Sequence, residues 1–148
     1  MIASALLDSN VIVAALARTH EHHAPSFALL AGQETRFAVA SHSYAEAYAT
    51  LTRFGERAPF RFTAAEAWAA LESIAAVTDL IGLTPAQTFA AIRAYSQENG
   101  VGARLYDRLI GEAATAHELP AIVTWNVGHM KSLFPSLDIV TPLDFARG

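Results

Sequence analysis

The stretch Leu6-Leu7-Asp8-Ser9-Asn10-Val11-Ile12-Val13 constrains this chain most. Two apolar residues lead into a carboxylate, as at the end of a buried strand, and the apolar run from Val11 to Leu16 behind it suits the start of a helix. A strand that stops at an acid and turns into a helix sets that acid at the carboxyl edge of a sheet. In open α/β folds that edge is where ligands bind. Asp8 is therefore read as the first of several carboxylates that meet there.

The rest of the chain repeats the alternation. Strands are expected over residues 2–7, 37–40, 78–83 and 121–124, with a last edge strand at 139–141. Helices are expected over 10–17, 25–31, from Ser41 or Ser43 to Phe54, from Thr63 past Ile74, from Thr84-Pro85 past Tyr95, and over 103–117, with a terminal turn at 142–146. Thr63-Ala64-Ala65-Glu66 has the capping-box pattern, and Pro85 suits a first helical position. Trp68, Leu71 and Ile74 mark one apolar stripe, and Phe89, Ile92 and Tyr95 another. Residues 125–129 read as the loop after the fourth strand. Such alternation implies a mostly parallel central sheet of four to five strands flanked by helices, an α/β class. At 148 residues, 53% apolar and 16% charged, the chain reads as one compact domain over 1–148.

Composition narrows the function. There is no cysteine, so disulfides and thiolate zinc sites are excluded, which suits a reducing compartment such as the cytoplasm. The first residues lack the basic region of a signal peptide, and no run of about 18 apolar residues suggests a membrane span. A net charge of −4 argues against an extended basic groove for nucleic acid. It leaves room for a nuclease whose acidic site recruits cations.

Three acids stand out, each with a plain alternative. Asp8 is well placed to be a helix N-cap. Glu46 makes a capping box with Ser43, or joins Thr50 and Arg53 on a solvated helix face. Asp107 falls outside the polar stripe of Arg104, Arg108 and Glu112 and shares its face with Gly111 and Ala114, where an acid needs a partner or a metal. Together, one acid ends the first strand, one lies a turn into the helix after the second, and one lies near the start of the last long helix. All three can converge on one sheet edge. Carboxylates crowded there repel by roughly 4 kcal/mol per close pair at an effective dielectric near 20. Protonation or divalent cations relieve that, and hard oxygen ligands favour Mg²⁺ or Mn²⁺.

With these residues in place, the chain resembles the PIN-domain ribonucleases, and within them the VapC-type toxins of toxin–antitoxin pairs. LLDSNVIVAAL looks like the first acidic motif, SHSYAEAYATLTRF the second and VGARLYDRLIGEAA the third. IVTWNVGHM, followed by Thr141-Pro142, looks like the closing strand and loop. The resemblance spans nearly the whole chain in motif order. It implies a three-layer PIN-like fold and metal-dependent endonuclease cleavage of RNA, with Asp8, Glu46 and Asp107 binding Mg²⁺ (Mn²⁺ substituting). On this reading Ser9 would fix the backbone, Thr124 would bond a carboxylate or phosphate, and Arg53 or Arg104 would either pair with substrate phosphate or simply solvate the surface. The last motif usually carries an aspartate two residues after the threonine. Asn126 stands there, uncharged, as a candidate catalytic residue or a turn residue.

The resemblance also implies an antitoxin partner and a homodimer, with the apolar helices at 10–17 and 63–76 as surfaces for them. The rival reading is a weak or inactive PIN-like module that binds RNA or protein, since the fourth acid is missing. A haloacid-dehalogenase-type phosphatase needs an aspartate where Asn10 stands. His20, His22 and His23 read as a zinc set or a solvated loop near the site. His129 is read as contacting RNA, orienting Asn126 or supporting its loop, and Trp68 and Trp125 as core or interface residues, with RNA stacking open to Trp125.

Overall fold

In a computed structural model, described over residues 2–32 and 34–148, thirteen elements are seen among the described residues, one helix more than expected. They are β1 (Ala5–Leu7), α1 (Ser9–Leu16), α2 (His23–Ala31), β2 (Phe37–Ala40), α3 (Ser41–Leu51), α4 (Ala64–Ala75) and β3 (Asp79–Ile81). After these come α5 (Pro85–Gln97), α6 (Arg104–Ala116), β4 (Ala121–Val123), α7 (Val127–Leu133), β5 (Asp138–Val140) and α8 (Pro142–Arg147). The five strands form one sheet in the order β3-β2-β1-β4-β5, with every pairing parallel. The mostly parallel expectation therefore tightens to a wholly parallel sheet. No helix among the described residues is long and apolar enough to cross a membrane.

Helices cover both faces of the sheet because the strand side chains are apolar on both. Ala5 and Leu7 of β1, Phe37 and Val39 of β2, and Ala121 and Val123 of β4 point into a core shared with α1, α3 and α4. The residues between them, Leu6, Ala38, Ala40 and Ile122, point into a second core with Ile110, Ala113 and Ala114 of α6 and Met130 of α7. An unbroken apolar run, each residue facing opposite its neighbour, is what a doubly covered parallel strand requires. Two caps close, the first as the sequence implies and the second in addition to it. Thr63 with Glu66, and Thr84 with Gln87, each form a reciprocal capping box.

Several expectations are corrected. The loop after β4 is mostly helix: α7 begins at Val127, with Asn126 at its N-cap and no side-chain cap. Gly128 and the short run hid its period. The helix α3 starts from Ala40 and stops at Leu51, so Ser43 lies inside it. The Ser43 hydroxyl is buried without a partner, and the expected box with Glu46 does not exist. On α5, Ala91 and Tyr95 are buried while Phe89 is 77% exposed, so the core stripe is smaller than its apolar residues suggested. Trp68 is 61% exposed on α4, not core. The helix α1 buries Val11 to Ala15 and is core, so it offers no open docking face. Arg108, expected on a polar stripe, is buried. Its guanidinium bonds Glu98 (Nη2–Oε2, 2.7 Å) and Glu112 (Nε–Oε1, 2.8 Å), fastening the end of α5 to α6.

Candidate active site

The strand order places the site. The chain leaves β1 toward β2, and later returns to the other side of β1 as β4, so β1 and β4 bound the point where the winding reverses. At such a point the loops diverge and leave a crevice at the carboxyl ends of the strands. Asp8 follows β1 and Thr124 follows β4, and Leu7 pairs in register with Val123.

Asp8 both caps α1 and is buried, at 3% exposure. Its Oδ1 accepts from the Ser9 backbone N–H at 2.7 Å. Its Oδ2 accepts from the Thr124 hydroxyl at 2.8 Å and from Asn10 Nδ2 at 3.4 Å. A hydroxyl has one proton, so with that proton on Asp8 the Thr124 oxygen is free to accept, and it accepts from Asn10 Nδ2 (3.1 Å) and the Asn126 backbone N–H (3.0 Å). Asn10 Oδ1 in turn accepts from the Trp125 N–H at 3.1 Å. Asn10 thus ties the turn after β1 to the turn after β4. Sequence reasoning used Asn10 only against a phosphatase, although an amide two residues after a strand-end acid was the available signal for this role.

Thr124 is the pivot of this network. Thr124→Val keeps the shape, but removes the donor to Asp8 and the acceptor for two N–H groups. The expected loss is roughly 2–3 kcal/mol of stability in denaturant unfolding. An unchanged unfolding midpoint at pH 8 would show the network to be incidental.

The other two acids come within electrostatic range of Asp8. Burial, more than the Thr124 bond can offset, and then the charge of Asp107, push the Asp8 carboxyl up to about 6. Burial, followed by Asp8 and Asp107, pushes Glu46 up to about 7. Burial raises Asp107 as well, while nearby His129 and Arg104 pull it back. Asp8, Glu46 and Asp107 therefore lie within electrostatic range of one another at the carboxyl edge of the sheet. They do not close into a cage: among the described residues, no three His, Asp or Glu side chains are arranged to hold an ion as they stand. The same holds for His20, His22 and His23. There, His20 Nδ1 accepts from the His22 N–H at 3.0 Å, His23 Nδ1 lies 2.9 Å from the Ala14 carbonyl, and His22 stacks on Trp125 at 3.9 Å.

Asn126 reaches the network only through its backbone. Its side chain is exposed and bonds none of the acids. Trp125 donates Nε1–H to Ser26 Oγ at 2.9 Å, and His22 covers one of its faces. His129 pairs with Arg104 (Nε2 to Nη2, 3.1 Å) and not with Asn126. Arg53 is exposed at the far end of α3. A further residue that the sequence did not single out is His42, whose Nε2 lies 3.2 Å from Glu46 Oε1. Burial lowers the His42 pKa while that of Glu46 rises, so near neutrality this is not a firm ion pair. A cavity of about 740 Å³ lies between α2 and α8 and includes none of these residues.

The PIN domain family model matches residues 5–127, which include Asp8, Glu46, Asp107 and Asn126. No curated protein matches. Among solved structures, the Mycobacterium tuberculosis toxin VapC20, described as cleaving the sarcin-ricin loop, superposes with a TM-score of 0.70 at 13% identity, over 87% of this chain and 95% of that one. DNA-bound VapBC from Salmonella typhimurium gives 0.66 at 19%, over 95% and 99%. VapBC2 from Rickettsia felis, bound to a promoter DNA fragment, gives 0.61 at 19%, over 90% and 95%. At such identities the superpositions speak for the fold alone. With the family model spanning most of the sequence, the chain belongs to the PIN domain family.

Proposed function

We propose that this protein is a metal-dependent endoribonuclease, the toxin of a type II toxin–antitoxin pair. The observation that carries the reading is the gathering of Asp8, Glu46 and Asp107, all with raised pKa values, at the reversal point of the sheet. Family membership and the toxin folds it resembles support it. The donor set fits a hard divalent cation, Mg²⁺ or Mn²⁺: it is all oxygen, and Glu46 Oε1 is buried with no hydrogen-bond partner. Asp8, Glu46 and Asp107 are the residues that would hold it. The chemistry such a cation supplies is a more acidic water for in-line attack and countercharge for the phosphate oxygens.

The chain's own residues do the rest. The Ser9 N–H and the Thr124 hydroxyl fix both oxygens of Asp8, so the carboxylate is oriented before substrate arrives. Arg104 is exposed beside Asp107 and offers a planar donor fork to a phosphate. Asn126 adds no charge, so its part is to hold the turn through its N–H. Partners follow from the same reading: an RNA substrate, a cognate antitoxin and a second copy of this chain. Outward-facing Trp68 of α4 and Phe89 of α5 are candidate contacts for the proteins.

The test is cleavage of a structured RNA by purified protein with Mg²⁺ or Mn²⁺. Cleavage should stop with chelator and in Asp107→Asn. Equal background from wild type and variant, with RNA still retained, would support a binding module without catalysis.

A further inference from the structure

The contact between His42 and Glu46 is unusual. The two sit four apart on α3, on one face, with Nε2 and Oε1 at 3.2 Å. Both atoms are shielded from solvent, yet neither has a hydrogen-bond partner, because the approach lacks the alignment a hydrogen bond needs. Buried polar atoms left so are uncommon and call for a physical reason. Two ligands at right angles on one ion, with bonds of about 2.1 Å, lie about 3 Å apart. The separation seen here is that bite.

The imidazole is also held in place. His42 stacks on Tyr106 of α6 at 5.1 Å with the planes 20° apart, and Tyr106 adjoins Asp107. A packed ring beside a donor atom fixes its direction, as supporting groups around metal ligands do. The other nearby imidazole is engaged. A guanidinium only donates, so His129 Nε2 accepts from Arg104 and its lone pair is taken. With its proton on Nδ1, His42 Nε2 is the free nitrogen lone pair next to the acids.

We propose that His42 is a nitrogen ligand of the catalytic cation, paired with Glu46, and that the site consequently prefers a first-row transition ion such as Mn²⁺ over Mg²⁺. This rests on the metal-dependent reading above and refines it. Mg²⁺ takes oxygen ligands almost alone, whereas a mixed imidazole and carboxylate set favours the later divalent ions. The pair supplies two ligands, and Asp8 and Asp107 supply the remaining negative charge.

The test uses untagged protein with Mn²⁺ alone. Calorimetry gives the Mn²⁺ and Mg²⁺ affinities, and electron spin-echo spectroscopy reads nitrogen coupled to bound Mn²⁺. Wild type should bind Mn²⁺ at least tenfold tighter than Mg²⁺ and show nitrogen coupling. His42→Ala and the bulkier His42→Gln should lose the coupling and most of the Mn²⁺ preference, while Mg²⁺ affinity shifts less than threefold. His129→Gln should keep the coupling. If His42→Gln folds with unchanged coupling and preference, while Asp8→Asn abolishes binding, the nitrogen ligand is refuted and the carboxylate site stands. If wild type binds neither ion in an Asp8-dependent way, both fall.

Discussion

Asp8→Asn is expected to reduce RNA cleavage by on the order of 10²–10³-fold and, in the same protein, to increase stability at pH 8. The opposition follows from burial. The carbonyl oxygen of asparagine still accepts from the Ser9 N–H, and its amide donates to the Thr124 oxygen while that hydroxyl turns its proton to Asn10 Oδ1, so the turn survives. What it lacks is the buried charge. In the folded chain Asp8 holds its proton to about pH 6, against 3.8 when unfolded. Between those values the folded state binds more protons than the unfolded state. Stability therefore falls as pH rises through that window and levels off above pH 6. The full rise corresponds to roughly 3 kcal/mol, so the variant should gain about 1–3 kcal/mol at pH 8 without divalent ions and nothing below pH 4. Glu46 extends the decline toward pH 7 in wild type, weakened by its partial exposure. Divalent cation should restore wild type and leave the variant unchanged. Denaturant unfolding at pH 4, 6 and 8 measures all of this. A variant less stable than wild type at every pH would mean that Asp8 is first a structural cap.

Gly111→Ala is expected to destabilise the fold by about 1–3 kcal/mol, against its helix propensity. Alanine in a helix interior is better than glycine by about 1 kcal/mol. A Cβ on Gly111, however, meets the Phe134 ring at 1.9 Å. That ring is nearly buried and lies under the Arg108 guanidinium at 5.8 Å, so moving it disturbs the packing around it. Gly128→Ala is the control. It is also helical, but nothing lies within 4 Å of the added atom. It should gain up to about 1 kcal/mol. Opposite shifts in thermal unfolding would separate packing from propensity; equal shifts would show that Phe134 yields.

Much of the site was legible before any coordinates. A strand's end can be read from where its apolar run stops, and the acid at that stop falls at the sheet edge. Asp8 was found this way, whereas Glu46 and Asp107 were singled out by their positions along their helices. The order of strands on either side of β1 then brings those elements together. The misses share another cause. Ser43 and Glu46 have capping-box spacing, but spacing does not say where a helix begins, and α3 begins two residues before Ser43. Arg108 has the spacing of a solvated stripe, yet Glu98 from the neighbouring helix draws it inward.

The sequence by itself determined the layers, a parallel sheet between helices, because apolar period and order along the chain are local properties. Only the tertiary structure decided the state of the acids. How far Asp8 and Glu46 hold their protons depends on how much water is excluded and how near the other charges come. Which small residue must remain small, and which histidine faces Glu46, depend on how one helix rotates against the next. Helical periodicity fixes the angle between two residues of one helix. It leaves open which neighbour that face will meet.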